Sequence, residues 1–412
     1  MSIDQKSKIR FTIYCQSFLQ IKELTKLEKF FAPILEKKNN FRESSFSKLK
    51  KAVSELKLNK PSQIISVTGT NGKGSTLEIL SQVLSNNNYK VGLFTSPHLI
   101  KFNERIKINN RAVSDKEIIE TFKKLENLSD YKSFNFFQLL ALACFVIFSN
   151  RTLDIWLLEV GLGGRLDPVN CFDADVSVIT KIALDHEEIL GKGRENIGKE
   201  KAGIIRSDQV FIYGEGLIPN SVKKVVDKLN PNFYKVDNSS LELENFHNNS
   251  VGIAKKILDV KFKEINSLNE IKKLKGNLNY GRCHKLRKNF IVDASHNNDS
   301  VKNLQKFISN NHSNSQIIAI FTCNDLKKIE DLCMPMMDIV DEWYVPDLDS
   351  NRVKSSSLIN KYLLSKGKIV NLGYDLSQLK EKIDKQEKNS LYVAFGSFIL
   401  MGKIYESYDF QI

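Results

Sequence analysis

The amino-acid sequence predicts an α/β protein of two domains, an N-terminal one built on an open, mostly parallel sheet and a smaller C-terminal one. Its 412 residues exceed what one hydrophobic core usually organises. Short apolar runs alternate with helical patterns, which indicates parallel strands joined by crossover helices. This alternation weakens between residues 235 and 280 and then resumes. We therefore expect one domain over residues 1–277 and another over residues 278–412.

The N-terminal domain begins with a Lys-rich amphipathic pattern at Phe46–Leu58 that favours a helix. The β-branched run Ile64–Thr68 predicts a strand, Gly69–Gly74 a glycine-rich turn and Ser75–Ser85 a helix. The apolar stretch Phe136–Phe148 is shorter than a membrane span and predicts a buried helix. Three further runs predict strands: Val91–Thr95, Ile155–Val160 and Val176–Ile182.

The C-terminal domain follows a linker predicted at Gly276–Gly281. Five apolar runs predict its strands: Phe290–Ala294, Ile317–Thr322, Glu342–Val345, Lys368–Asn371 and Leu391–Phe395. Ligands of open parallel sheets bind at the carboxyl ends of the strands. Functional side chains are therefore expected directly after these runs in both domains.

The formal net charge of +13 is compatible with a nucleic acid, an anionic membrane or an anionic small molecule as partner. The excess is spread as Lys in short clusters, such as Lys48, Lys50 and Lys51, without interleaved aromatic residues. This pattern favours solvated surface charge and small anionic substrates, with no nucleic acid or membrane as partner. A nucleic-acid-binding NTPase is the alternative, and stimulation of ATP hydrolysis by DNA or RNA would support it.

The six cysteines form no CxxC pair, which favours reduced thiols in a cytoplasmic protein. Residues Met1–Arg10 contain no apolar core of the kind that marks a signal peptide. We expect a monomer.

The strongest functional signal is the loop Thr68–Thr76, with sequence TGTNGKGST, between a predicted strand and helix. Backbone N–H groups of such a loop and the helix N-terminus bind phosphates. The loop differs from a Walker A motif because Val67 replaces a glycine and Gly74 separates Lys73 from Ser75. An ordinary glycine-rich turn is the alternative. The predicted nucleotide contacts are Thr70, Asn71, Gly72, Lys73, Gly74, Ser75 and Thr76.

Three polar side chains follow other strands of the same predicted sheet, namely Ser96, Glu159 and His186. A carboxylate in an apolar strand is costly unless it is paired or bound to a metal. We therefore predict a Mg²⁺ site formed by Ser75, Ser96, Glu159 and His186. Taken singly, Glu159 would more often be in an ion pair and His186 would be a loop histidine.

Other polar residues carry weaker signals. Lys199 and Lys201 lie on a predicted helix over residues 196–205 and would by themselves form a solvated face. In the second domain, Asp293 and His296 follow a strand and could bind a ribose and a phosphate, although Asp293 could instead cap a helix. Arg282 could reach a phosphate or lie on the surface.

Together the motifs resemble the folylpolyglutamate and dihydrofolate synthases of the Mur ligase superfamily. The matching segments are Thr68–Thr76, Thr95–Ile106, Leu158–Asp167, Ala183–His186, Glu200–Ile204, Asp293–Asn297 and Phe395–Leu400. The resemblance implies a P-loop-type ATP-binding domain followed by a Rossmann-like domain. It also implies ligation of L-glutamate to dihydropteroate, to the γ-carboxylate of a folate, or to both, through an acyl phosphate made with ATP.

The resemblance also implies roles for individual residues. Lys73, His186 and Lys201 would be catalytic, with Lys201 carried as a carbamate and two Mg²⁺ ions bound. ATP would also contact Asn249, Arg282, Asp293 and His296. Substrate contacts would come from Phe137, Asp167 and Ser397.

The sequence departs from the family pattern at several positions, among them Tyr280, Ala294 and Asn298. Asn135 and Gln138 replace the Thr and Glu of a TFFE-like stretch, Ser295 replaces an alanine, and Asn245 stands in a reduced HQxxNA stretch. A Mur-superfamily ligase acting on a different carboxylate acceptor is therefore the second hypothesis.

Overall fold

The computed structural model describes residues 26–35, 43–236, 248–274, 280–348, 350, 352–385 and 390–410. These residues fall in two compact units. The first lies within Glu23–His98 and Phe102–Leu278, and the second lies within Leu99–Lys101 and Asn279–Ile412.

The first unit is built on an eight-stranded sheet of order β4-β3-β2-β5-β1-β6-β7-β8. Its strands are parallel except β3 and β4, which pair antiparallel at one edge. The strands are β1 (Gln63–Thr68), β2 (Val91–Phe94), β3 (Ile106–Ile108), β4 (Arg111–Ala112), β5 (Ile155–Glu159), β6 (Val176–Lys181), β7 (Val210–Glu215) and β8 (Asn232–Lys235).

Helices cover both faces of this sheet. They are α1 (Lys26–Leu35), α2 (Glu43–Glu55), α3 (Lys73–Asn86), α4 (Asp115–Leu125), α5 (Phe136–Ser149), α6 (Glu187–Leu190), α7 (Gly193–Ala202), α8 (Asn220–Leu229), α9 (Asn248–Lys261) and α10 (Ser267–Lys273). Side chains alternate across a strand, so β5 sends Trp156 into a core with Phe145 of α5 and Leu157 into a core with Leu80 of α3. This burial on both faces explains the continuous apolar runs of the central strands.

The second unit carries a six-stranded sheet of order β13-β12-β11-β14-β10-β9, in which only β9 is antiparallel to its neighbour. Its strands are β9 (His284–Arg287), β10 (Phe290–Val292), β11 (Gln316–Phe321), β12 (Glu342–Tyr344), β13 (Ile369–Asn371) and β14 (Ser390–Phe395). Its helices are α11 (Asn298–Asn311), α12 (Ile329–Cys333), α13 (Ser356–Ser365), α14 (Leu376–Lys385) and α15 (Phe398–Ser407).

The predicted α/β class is confirmed, and every predicted strand is present within one or two residues of its predicted bounds. The helix predicted to begin at Ser75 begins instead at Lys73, so Gly74 lies in its first turn. The strands that the sequence did not predict, β3, β4, β7, β8 and β9, are mostly short or at a sheet edge. All four residues of β8 are exposed, so no apolar run marks that strand.

The weakly patterned stretch before the second domain contains two helices, α9 and α10, which the sequence did not predict. Most of the predicted linker Gly276–Gly281 lies outside the described residues. Within the described part of the chain, no helix is both long and apolar enough to cross a bilayer.

Candidate active site

The loop between β1 and α3 has the geometry of a phosphate cradle. Gly72 has φ 87°, a left-handed conformation that favours glycine, and it precedes the first helical residue, Lys73. The carbonyl of Gly72 accepts hydrogen bonds from the N–H and the hydroxyl of Thr76, at 3.0 and 2.8 Å. N–H groups in the first turn of a helix have no partners within the helix and attract anions.

Lys73 bends back over this loop. Its Nζ donates a hydrogen bond to the carbonyl of Gly69 at 3.1 Å and lies 3.9 Å from Oε1 of Glu159. The ammonium group is thus held at the loop by a carbonyl and a carboxylate, where it would add a positive charge to bound phosphates.

Glu159 is the last residue of β5 and is only 4% exposed. Its Oε2 accepts a hydrogen bond of 2.9 Å from the backbone N–H of Ser96, which follows β2. A Cβ atom added to Gly74 would lie 3.4 Å from this same oxygen. That separation is ordinary van der Waals contact, so the start of α3 lies directly beside the carboxylate. The backbone of Ser96, the carboxylate of Glu159 and the ammonium group of Lys73 therefore lie close together.

His186 precedes α6 in a left-handed conformation, with φ 54°. Its Nε2 lies 3.9 Å from Asp185, and its Nδ1 lies 3.8 Å from Glu188. Asp185 was not among the predicted site residues, although an acidic residue directly before the histidine in ALDH was the available signal.

The donor types around the loop decide which metal they would fit. Among the described residues, no cluster of three or more His, Cys, Asp and Glu side chains is arranged to hold a metal ion. Serine hydroxyls and one or two carboxylates, completed by phosphate oxygens and water, are instead the usual ligands of Mg²⁺ at nucleotide sites. The hydroxyl and carboxylate donors present therefore fit magnesium.

Lys201 lies in the last turn of α7 and is only 4% exposed. The prediction that Lys201 lies on a solvated helix face is therefore wrong, whereas Lys199 is exposed as expected. Burial, together with the positive charge of Lys73, lowers the pKa of Lys201 to about 7, although Asp185 and Asp167 act in the opposite direction. A lysine with this pKa is partly uncharged at neutral pH.

Asp167 is fully buried in the loop that follows β5. Burial raises the pKa of Asp167 to about 7, although its carboxylate accepts hydrogen bonds from the N–H groups of Leu162 and Val169 at 3.0 and 3.1 Å. The same loop is joined to β1 because the hydroxyl of Thr68 donates to the carbonyl of Gly163 at 2.6 Å.

Phe137 packs against this loop. A Cβ atom added to Gly161 would lie 2.4 Å from Cζ of Phe137, so the ring covers the backbone of Gly161. Asn135 and Gln138 on either side form a reciprocal capping box at the start of α5. The Thr and Glu of a TFFE-like stretch have the same T-x-x-E spacing, so these two departures preserve a capping box.

Asn249 and Ser250 of α9 also lie at the loop. The side chain of Asn249 donates to the carbonyl of Thr180 at 3.3 Å, and the hydroxyl of Ser250 donates to the carbonyl of Gly72 at 3.4 Å. Ser250 was missed by the sequence reasoning. Asn245 lies outside the described residues.

Asp293, in the second unit, is held in place by hydrogen bonds from nearby residues of the same unit. It accepts hydrogen bonds from the N–H of Cys283 at 2.7 Å and from the N–H and hydroxyl of Ser295. The alternative that Asp293 caps a helix is wrong, because Asn297 is the N-cap of α11. Ser295 thus gains a hydrogen bond that the alanine usual in the family could not make.

Arg282 and His296 of the second unit both lie against Phe398, at 5.6 Å for the guanidinium carbon and 5.1 Å for the imidazole centroid. Ser397 caps α15 and its hydroxyl is 2.7 Å from that of Thr322. Arg282, His296 and Ser397, to which the resemblance assigns roles, therefore all lie near the start of α15.

A family model described as the Mur ligase middle domain matches residues 67–279. A dihydrofolate synthase/folylpolyglutamate synthase of Buchnera aphidicola from Schizaphis graminum is 32% identical over 371 residues, which cover 84% of this chain and 88% of that protein. The chain belongs to this family of Mur ligases. Its Escherichia coli member is 41% identical over 165 residues, 40% of this chain and 39% of that protein.

Solved structures of the family agree with this assignment. The structure of E. coli FolC in complex with ADP superposes with a TM-score of 0.84 at 25% identity and covers 93% of this chain and 97% of that one. The bifunctional synthase of Yersinia pestis with AMPPNP and a Mn ion has a TM-score of 0.83 at 25% identity, covering 93% and 98%. The predicted fold and the predicted enzyme class, an ATP-dependent ligase of folate metabolism, are thus confirmed.

Proposed function

We propose that this synthase joins L-glutamate to 7,8-dihydropteroate and to the γ-carboxylate of a folate. The observation that carries the proposal is the loop after β5, where Phe137 covers Gly161 and Asp167 is buried, and where Gly163 is bonded to the strand that leads into the phosphate loop. A flat pterin fits an aromatic ring and a buried carboxyl as an apolar surface and a hydrogen-bonding group. E. coli FolC has been solved with DHPP and ADP, and a bifunctional folylpolyglutamate synthase/dihydrofolate synthase with Mn, AMPPNP and L-glutamate.

The chemistry follows two balanced steps. An oxygen of the acceptor carboxylate attacks the γ-phosphorus of ATP, and ADP leaves to give an acyl phosphate. The uncharged amino group of glutamate then attacks the acyl carbon, and the tetrahedral intermediate loses inorganic phosphate and a proton to form the amide. Negative charge moves over the phosphoryl oxygens, so Lys73 and the loop amides of Gly72–Thr76 would stabilise it.

We infer that two Mg²⁺ ions bind at this edge of the sheet. Ser75 would supply a hydroxyl near the phosphates, and Ser96, Glu159 and His186 would hold the second ion. When bound, such ions neutralise charge on phosphoryl oxygens and orient them.

Lys201 would be held as a carbamate. Its depressed pKa leaves part of the amine uncharged near neutral pH, and only that form attacks the carbon of CO₂. The attack forms an N–C bond and releases one proton, so the uncharged buried amine becomes an anion beside Lys73. The positive charge of Lys73 would stabilise the carbamate.

The deciding experiment is an assay of the purified chain with ATP, Mg²⁺ and L-glutamate. Dihydropteroate and tetrahydrofolate are supplied in turn as acceptors, and ADP and amide product are measured. We expect both acceptors to support ADP release only when glutamate is present. Turnover with one acceptor alone would reject the bifunctional assignment. Turnover with a UDP-muramyl peptide, or with neither pteroyl acceptor, would reject the folate assignment.

A further inference from the structure

Thr180 lies directly beneath the phosphate loop. It is the penultimate residue of β6, and its side chain is fully buried. A Cβ atom added to Gly69 would lie 1.8 Å from its hydroxyl oxygen, and one added to Gly72 would lie 3.9 Å from its Cβ. The threonine side chain therefore fills the space beside Gly69 and lies in van der Waals range of Gly72, whose nearest neighbour is the hydroxyl of Ser250.

The hydroxyl of Thr180 also holds one peptide group of the loop. Its Oγ1 donates a hydrogen bond of 2.6 Å to the carbonyl oxygen of Asn71. In a planar trans peptide, the carbonyl and the following N–H point in opposite directions. The N–H of Gly72, which shares this peptide plane, is therefore directed away from the Thr180 hydroxyl.

The chain around Thr180 anchors the same side of the loop at two further points. The N–H of Thr70 donates to the carbonyl of Lys181 at 2.8 Å, and the hydroxyl of Thr70 contacts both the carbonyl and the N–H of Ala183, at 3.1 and 3.0 Å. These bonds fix the start of the loop, whereas the Thr180 bond fixes the peptide that carries the Gly72 N–H.

We propose that Thr180 is a positioning residue for ATP, which orients the Asn71–Gly72 peptide so that its N–H faces the phosphates. Thr180 itself does not touch the nucleotide. The inference rests on the proposed role of this loop as the nucleotide site. Without the hydroxyl, the Asn71–Gly72 peptide can rotate, and ordering it again weakens nucleotide binding.

The test compares Thr180→Val, which keeps the shape but removes the donor, with Thr180→Ser, which keeps the donor. Calorimetric titration with ADP in the presence of Mg²⁺ measures the dissociation constant. We expect Thr180→Val to raise it about three- to tenfold, as for the loss of one net hydrogen bond, and Thr180→Ser to remain within about twofold of wild type. The KM for ATP should rise in parallel, while the KM for glutamate stays unchanged.

Ser177→Ala is the matched control. Ser177 is a buried hydroxyl residue of the same strand that bonds Gln209 at 2.7 Å, away from the loop. Thermal melting of all three variants shows whether they fold. Equal affinity of folded Thr180→Val and wild type for ADP would overturn the inference, as would an equal loss in Ser177→Ala. Failure of wild type itself to bind ADP would instead overturn the proposed nucleotide site.

Discussion

The backbone N–H of Ser96 donates a hydrogen bond of 2.9 Å to Oε2 of Glu159, which joins the ends of two neighbouring strands. β2 and β5 are adjacent and parallel, so their carboxyl ends meet at one edge of the sheet. The bond orients a buried carboxylate whose other oxygen lies 3.9 Å from Lys73. Ser96 and Glu159 therefore form the middle of the proposed metal site.

Glu159→Gln should weaken the use of magnesium. The glutamine can still accept the Ser96 hydrogen bond, but it loses the negative charge that a divalent cation needs. We expect the Mg²⁺ concentration for half-maximal turnover to rise about tenfold or more. The control is Glu117→Gln, a surface carboxylate bonded to Arg151. An unchanged magnesium titration would exclude Glu159 from the metal site.

Lys73→Ala should abolish formation of the acyl phosphate, because it removes a positive charge from the phosphate loop. Removal of one such stabilising group costs about 10²–10³-fold in turnover. ADP release under saturating substrates measures the loss, and Lys116→Ala, at an exposed position of α4, is the control. Turnover like that of wild type would remove Lys73 from the assigned role.

Lys201→Ala should lose activity that short carboxylates such as acetate or formate partly restore, because a free carboxylate can replace the proposed carbamate. Lys199→Ala, on the exposed side of the same helix, should remain active. ¹³C NMR after incubation with labelled bicarbonate should show a carbamate signal in wild type that is missing in Lys201→Ala. Full activity of Lys201→Ala would contradict the proposal.

The depressed pKa of Lys201 also predicts a pH dependence of stability. The folded protein has this pKa at about 7, against 10.5 for an ordinary lysine, so between these values the unfolded chain binds more protons. The contribution of Lys201 to the free energy of unfolding therefore rises with pH between these two pKa values. In CO₂-free buffer, the free energy of unfolding of wild type should rise relative to Lys201→Met by about 1–3 kcal/mol between about pH 7.5 and about pH 9.5.

Urea unfolding at several pH values measures this difference, since titrating groups remote from position 201 contribute equally to both proteins. Parallel pH profiles of wild type and Lys201→Met would show that the lysine titrates normally in the folded state.

Gly161→Ala should impair binding of the pteroyl acceptor. The added methyl group would lie 2.4 Å from the ring of Phe137, so the ring must move away from the loop that contains Asp167. We expect the KM for dihydropteroate to rise about tenfold and that for ATP to stay unchanged. Phe137→Ala should produce the same split between the two constants. A rise limited to the KM for ATP would place Phe137 outside the acceptor site.

Much of the catalytic edge was predictable because its signals are local. A β-branched run, a glycine loop and an amphipathic pattern in direct succession predict strand, loop and helix without knowledge of the rest of the chain. The parallel arrangement of β1, β2, β5 and β6 then predicts that Lys73, Ser96, Glu159 and His186 follow strands of one sheet. Short exposed edge strands such as β8 leave no such signal.

The sequence by itself predicted the strands that carry the site, the phosphate loop and the polar residues at the ends of those strands, since these depend on neighbours along the chain. Only the tertiary structure decided the burial of Lys201 and the position of Thr180 next to the phosphate loop. From its neighbours along the chain, Lys201 would be predicted to be an exposed, charged lysine. Its depressed pKa arises from burial and from Lys73, which is distant along the chain. The sequence around Thr180 predicts only a strand residue. Its contacts with Gly69 and Asn71 form only when β6 packs beside the phosphate loop in the folded protein.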